Sequence, residues 1–141
     1  MKAIFVDTSA LYALFSASDT SHGEAVAILR QIHRRRSPLV TTDLVLVESY
    51  VLVHARGGLD ALLEFRATLG RSAWLQTMTT SSEQQADAWE LLKRRTDKGY
   101  SFIDAASFVV MRALGIQQAF SFDAHFSQEG FERLGSSSVR R

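Results

Sequence analysis

The strongest constraint on this chain is an alternation of two hydrophobic periods. Short runs of apolar, β-branched and aromatic residues fall at 3–6, 39–41, 73–78 and 119–122, with a weaker fifth at 131–134. Runs of this length and composition read as buried strands. Longer segments with helical spacing separate them. One follows Asp7-Thr8-Ser9 and runs to about Phe15. A second starts at Asp19-Thr20-Ser21 and carries Ala25, Ile28, Leu29 and Ile32 on one face until Pro38 stops the pattern. A third, capped by Thr41, Thr42 or Asp43, runs to about His54 and ends at Gly57-Gly58, with a further helix at 59–69. Ser81 or Ser82 starts another helix to about Arg95, with Ala86, Ala88, Trp89 and Leu92 expected to face inward. After the Asp97-Lys98-Gly99 turn, a helix spans 102–114 and Gly115 closes it.

Strands that alternate with helices predict an α/β chain: a three-layer α/β/α sandwich around a mainly parallel central sheet of four to five strands. All of it falls in one domain, residues 1–135, with a polar tail at 136–141. In such sheets ligands bind outside the carboxyl ends of the strands. The residues to inspect are therefore those that immediately follow strands.

Composition narrows the function. The chain of 141 residues has no cysteine, which excludes a disulfide framework and thiolate metal ligands and fits a cytoplasmic setting. No apolar run reaches the roughly 20 residues of a membrane helix, so no membrane partner is expected. Asp7 interrupts the first apolar stretch too early for a signal-peptide core. The net charge of +1 carries no overall nucleic-acid signature. Basic runs at Arg34-Arg35-Arg36, Lys93-Arg94-Arg95 and Arg140-Arg141 are compatible with phosphate contacts, but each also reads as a solvated helix end or tail.

Four acids stand out. Asp7 and Asp123 directly follow predicted strands, where a helix cap and a turn are the alternative roles. Glu48 is the only charge between Asp43 and His54, on a helix whose apolar residues cover nearly every face. Such a helix is expected to be buried, and a carboxylate there needs a cation or donors, unless it reaches an exposed edge or pairs with Arg56. Asp104 opens the apolar helix at 102–114, and Ser101-x-x-Asp104 also matches a capping box. Together the four would converge on one sheet edge. Clustered carboxylates repel unless cations intervene, and hard oxygen donors suit Mg²⁺ or Mn²⁺. Such ions support phosphodiester cleavage. The chain has neither a Walker lysine loop nor a glycine-rich dinucleotide fingerprint.

The segments FVDTSAL, VLVES, YSFIDAAS and FSFDAHF, in this order, resemble the PIN-domain family, and within it the toxin ribonucleases of the VapC type. The resemblance covers essentially the whole chain. It implies a PIN-like fold and a Mg²⁺- or Mn²⁺-dependent endoribonuclease, homodimeric and neutralised by a small DNA-binding antitoxin. Asp7, Glu48, Asp104 and Asp123 match the family's acidic cluster as catalytic and metal-binding residues. Thr8, Ser9 and Ser121 match its supporting polar positions, with Ser121 or Thr8 expected to orient water or a phosphate oxygen.

Two other readings compete. A haloacid-dehalogenase-type phosphatase also places an Asp after its first strand, but it needs a second Asp where this chain has Ser9. A non-catalytic PIN-like scaffold would bind RNA or protein without cleaving it. His22 and His33 are expected in solvent and His54 near a helix C-terminus. His125 is expected either behind the acids or against substrate. Trp74, Trp89, Phe102 and Phe108 are expected in the core. Asp97 reads as a turn residue or an outer acid of the metal site.

Overall fold

A computed structural model describes residues 2–136. Apart from Ser136, the polar tail lies outside the described residues, and so do Arg140 and Arg141. The element order is β1 (Ile4–Val6), α1 (Thr8–Phe15), α2 (His22–Arg34), β2 (Leu39–Thr42), α3 (Asp43–Gly70) and β3 (Leu75–Met78). It continues through α4 (Ser82–Arg94), α5 (Phe102–Ala113), β4 (Gln118–Phe120), α6 (His125–Gln128) and β5 (Glu132–Leu134).

All five strands are parallel, in the order β3-β2-β1-β4-β5. The chain builds outward from β1 in one direction, then crosses back to lay β4 on its other side. Right-handed crossovers put α1–α3 on one face and α4–α6 on the other. The contacts α1·α2 and α1·α3, and α4·α5 and α5·α6, follow that division. The expected three-layer sandwich is therefore present. The strand order reverses between β1 and β4, and a ligand crevice forms at the carboxyl ends of such a pair. Asp7 follows β1, and Ser121 to Asp123 follow β4.

The core is apolar and aromatic. Ile4, Phe5 and Val6 are buried on both faces, as a central parallel strand requires. Phe108, Phe120, Phe122 and Phe126 pack around them. Local capping fixes where α1, α3, α4 and α5 begin. Thr42 accepts from Val45 N, and Ser81 and Ser101 each close a complete capping box, with Gln84 and Asp104 respectively.

The helical run Asp43–Gly70 breaks where expected, at Gly57-Gly58: Gly58 has φ 80° and ψ −173°, outside helical values, and a second helical segment follows it to Gly70. That backbone conformation is cheap only for glycine. The break therefore falls at the expected helix end, and His54 lies exposed in the turn before it. Other expectations need correction. This helix is not buried all round: Val47 is 53% and Val51 65% exposed. On α4 the inner face is Ala88, Leu91 and Leu92, whereas Ala86 is exposed. Trp89 is also outside, 56% exposed, with its ring 4.5 Å from that of Phe102. Strand β4 ends at Phe120 rather than at residue 122. The four-residue helix α6 is too short to show a period and was not expected from the sequence. His22 is half-buried, with Nδ1 2.8 Å from the Ala13 carbonyl oxygen.

Candidate active site

The four acids meet in one pocket at the crevice. Its walls include Asp7, Thr8, Ser9, Tyr12, Glu48, Leu52, Arg56, Gly99, Ser101, Asp104, Asp123 and His125. Asp97 is exposed and is not among the lining residues, which leaves it the turn role.

Each carboxylate is held by one oxygen. Asp7 Oδ2 accepts from Ser9 Oγ at 2.9 Å, from Ser121 Oγ at 3.0 Å and from Ser9 N at 3.4 Å. Glu48 Oε1 accepts from Thr8 Oγ1 at 2.5 Å. Asp104 Oδ2 accepts from Ser101 N at 3.0 Å and lies 2.8 Å from His125 Nδ1. Asp123 Oδ1 accepts from His125 N at 2.9 Å. Among the described residues, no hydrogen bond falls on the second oxygen of any of the four. The capping alternatives for Asp7 and Asp104 are thus real, and they coexist with the cluster. Capping occupies one oxygen and leaves the other for the pocket. Glu48 makes no ion pair with Arg56 among the described residues.

The two serines form the centre of this scaffold. Ser121 Oγ donates to Asp7 and accepts from Asp123 N at 3.0 Å. Ser9 Oγ accepts from Phe122 N at 2.9 Å while donating to Asp7. Both hydroxyl protons, and that of Thr8, are directed at carboxylates. One small network therefore ties the end of β1 to the end of β4.

Electrostatics follow from packing. Burial, then the charge of Asp104, pushes Asp7 up to about 7, although the Ser9 and Ser121 hydrogen bonds work against the rise. Burial also raises Glu48, opposed by the Thr8 hydroxyl and reinforced by Asp104 and Asp123. Burial raises Asp104 too, with the Ser101 amide and His125 opposing and Asp123 reinforcing. Protein donors do not fully compensate these carboxylates, so a cation is what would let all of them ionise together. One ligand atom each from Asp104, Asp123 and His125 lie within 4.8 Å of one another. Carboxylate oxygens with one imidazole form a donor set suited to a hard or borderline divalent ion.

Sequence reasoning missed part of the surroundings. Tyr12 and Arg56 line the pocket, with the Arg56 guanidinium 4.7 Å from the Tyr12 ring centroid. The spacing Thr8, Tyr12 and Glu48, Leu52, Arg56 was available as a signal, because positions four apart share a helix face. A second missed cluster braces the site from behind. Glu129, 8% exposed, receives Arg95 at 3.1 Å, Arg112 at 2.9 Å and the Tyr100 hydroxyl at 2.9 Å. Burial alone would raise Glu129, but hydrogen bonds from Arg112, Tyr100 and Arg95 hold it below the usual carboxylate range. The Tyr100 ring meets His125 edge-on at 5.1 Å. Arg95 is therefore engaged internally, and Lys93 pairs with Glu90. Of the central basic run, only Arg94 lacks such an ion pair among the described residues.

An all-parallel sheet of five strands, with acids gathered at the β1/β4 crevice, defines a nuclease-like α/β fold of the PIN type. Residues 4–132 match the PIN domain family, and the chain belongs to it. It is 39% identical over 129 residues to the 23S rRNA-specific endonuclease VapC20 of Mycobacterium tuberculosis, covering 91% of this chain and 95% of that protein. Ribonuclease VapC26 of the same organism is 28% identical over 125 residues, with 88% and 90% coverage. The crystal structure of M. tuberculosis VapC20, a sarcin-ricin loop cleaving toxin, superposes with a TM-score of 0.80 at 37% identity, covering 92% and 96% of the two chains. PAE2754 from Pyrobaculum aerophilum shares the fold at a TM-score of 0.60 and 20% identity, over 94% and 84% of the two chains.

Proposed function

We propose that the protein is a metal-dependent endoribonuclease that hydrolyses RNA phosphodiester bonds, acting as the toxin of a toxin–antitoxin pair. The observation that carries this reading is the half-anchored state of the four carboxylates. Asp7, Glu48, Asp104 and Asp123 each present one oxygen that no described group occupies. The names of the relatives point to RNA as the substrate, with ribosomal RNA the first to test.

In this reading Asp7, Asp104 and Asp123 hold Mg²⁺ or Mn²⁺, and Glu48 joins them directly or through water. When bound, the ion neutralises phosphate charge and lowers the pKa of water for attack. The chain's own groups supply the geometry. Ser9 and Ser121 fix the Asp7 carboxylate, Thr8 fixes Glu48, and His125 fixes Asp104. Because the Thr8 and Ser121 hydroxyl protons already point at carboxylates, these residues position acids rather than water or phosphate. His125 is close enough to Asp104 and Asp123 to share the ion with them.

The test is cleavage of ribosomal RNA by the purified protein with Mn²⁺ or Mg²⁺, alongside thermal unfolding with and without Mn²⁺. We expect cleavage that chelation abolishes, and a rise of several degrees in Tm with excess Mn²⁺. Metal stabilisation without cleavage of any RNA would instead support the non-catalytic scaffold. A phosphorylated Asp7 after incubation with phosphomonoesters would revive the phosphatase.

The reading extends to assembly. Val47 and Val51 on α3 before the break, and Leu59 and Leu63 after it, are apolar and 53–65% exposed. Such a stripe along α3 fits a homodimer contact. An antitoxin is the second partner proposed. Light scattering on the protein, alone and co-expressed with the product of its neighbouring gene, should give the masses of a dimer and of a larger complex. A monomer in both samples would remove both partners from the proposal. No helix among the described residues is long and apolar enough to cross a membrane.

A further inference from the structure

We propose that Arg56, held by Tyr12, is a phosphate-binding residue that grips the RNA backbone beside the scissile bond. This rests on the ribonuclease reading and adds to it a contact outside the acid cluster.

The pocket is lined by four carboxylates, and an RNA strand must bring further negative charge to it. Among the lining residues only Arg56 is a permanent cation; His125 is engaged with Asp104. Arg56 makes no ion pair among the described residues, although Glu48 shares its helix. Instead its guanidinium lies over the Tyr12 ring at 4.7 Å. That contact is weak at an exposed site, but it limits where the side chain can go. Among the described residues no hydrogen bond occupies its N–H donors, and a planar fork of donors matches phosphate oxygens.

The placement follows from two helices. Glu48, Leu52 and Arg56 lie on one stripe of α3, so Arg56 is two turns, roughly 12 Å, beyond Glu48. Helical side chains lean towards the N-terminus, which points Arg56 back towards the acids. Thr8 and Tyr12 are one turn apart on α1. The two helices thus meet twice along the pocket, at the Thr8–Glu48 hydrogen bond and at the Tyr12–Arg56 stack. The first contact belongs to the acid cluster. The second sets a positive group at a fixed distance from it, where a neighbouring backbone phosphate would lie.

The experiment compares the wild-type chain with Arg56→Gln, Arg56→Lys and Tyr12→Leu in steady-state cleavage of ribosomal RNA. It adds the salt dependence of binding of a short single-stranded RNA, measured in the Asp104→Asn background. For Arg56→Gln we expect KM to rise about tenfold with kcat within about twofold, the pattern of lost uniform binding. The slope of log affinity against log salt should fall by about 0.7, the value for one phosphate contact on a single strand. Tyr12→Leu should raise KM less, and Arg56→Lys should recover part of the loss. The Mn²⁺-dependent rise in Tm should be unchanged in Arg56→Gln, which also shows that the variant folds. Wild-type KM and salt slope in Arg56→Gln would overturn the proposal, as would a fall in kcat alone. Absence of cleavage by the wild type is a different failure, that of the ribonuclease reading.

Discussion

Asp7→Asn should abolish RNA cleavage and, in the absence of metal, make the protein more stable at pH 8. The two effects have one cause. Asp7 is 5% exposed, and burial together with the charge of Asp104 pushes it up to about 7 from 3.8. For an acid raised in the folded state, the folded protein holds a proton that the unfolded chain has released. Stability from this group is therefore fully present below about pH 4 and is lost as pH rises through about 7. A shift of this size corresponds to roughly 4 kcal/mol. Asparagine avoids the charge, can cap α1, and can still accept from Ser9 and Ser121 through its amide oxygen. At pH 8 the metal-free variant should gain about 3 kcal/mol, or roughly 10 °C in Tm, with little difference near pH 3.5. Excess Mn²⁺ should reverse the ranking, because only the wild type gains the full binding energy. Cleavage should fall by about 10³-fold or more, as when one member of a cooperating set is removed. Calorimetry at the two pH values and a single-turnover assay check this. A variant that is less stable than wild type at pH 8, or that keeps a tenth of the activity, would sink it.

That prediction shows what the sequence could and could not reveal. The alternation of strands and helices, the four acids and their edge of the sheet were legible, because each rests on local pattern. Glu48 lines the pocket, but the burial expected for its helix is not what places it there. Its helix is not wholly buried, and the exposed Val47 and Val51 would have been read as core. A pattern that is apolar all round cannot distinguish packing within one chain from packing against a second one. The face of α4 was misjudged because Trp89 was counted as core, whereas its ring stacks on Phe102 at the surface. The Glu129 cluster was invisible because Arg95, Tyr100, Arg112 and Glu129 come together only through the fold. Nothing in a polar segment ending in Gly130 marks a buried acid.

Gly135 was passed over for the same reason, yet Gly135→Ala should be among the most damaging single changes in the chain. Its φ of 132° is one that side-chain-bearing residues rarely adopt. A Cβ there would lie 2.4 Å from the Ser121 carbonyl oxygen and 3.2 Å from its carbon. The obstacle is backbone, so no side chain can swing away to relieve it. Ser121 N is also bonded to the Leu134 carbonyl at 3.1 Å, which pins the two segments together. Backbone strain alone costs about 1–3 kcal/mol, and the clash adds to it. A loss of about 3 kcal/mol or more is expected, roughly 10 °C in Tm. The displaced residue is the one whose hydroxyl holds Asp7 Oδ2 and accepts from Asp123 N. Metal affinity and cleavage should therefore fall beyond what reduced stability explains, measured well below the variant's Tm. Gly130→Ala is the control. Its φ is 97°, but nothing lies within 4 Å of the added Cβ. It should lose about 1–2 kcal/mol from strain and keep its Mn²⁺ response and activity. Equal effects in the two variants would show that the close approach of Gly135 to Ser121 does not hold the acids in place.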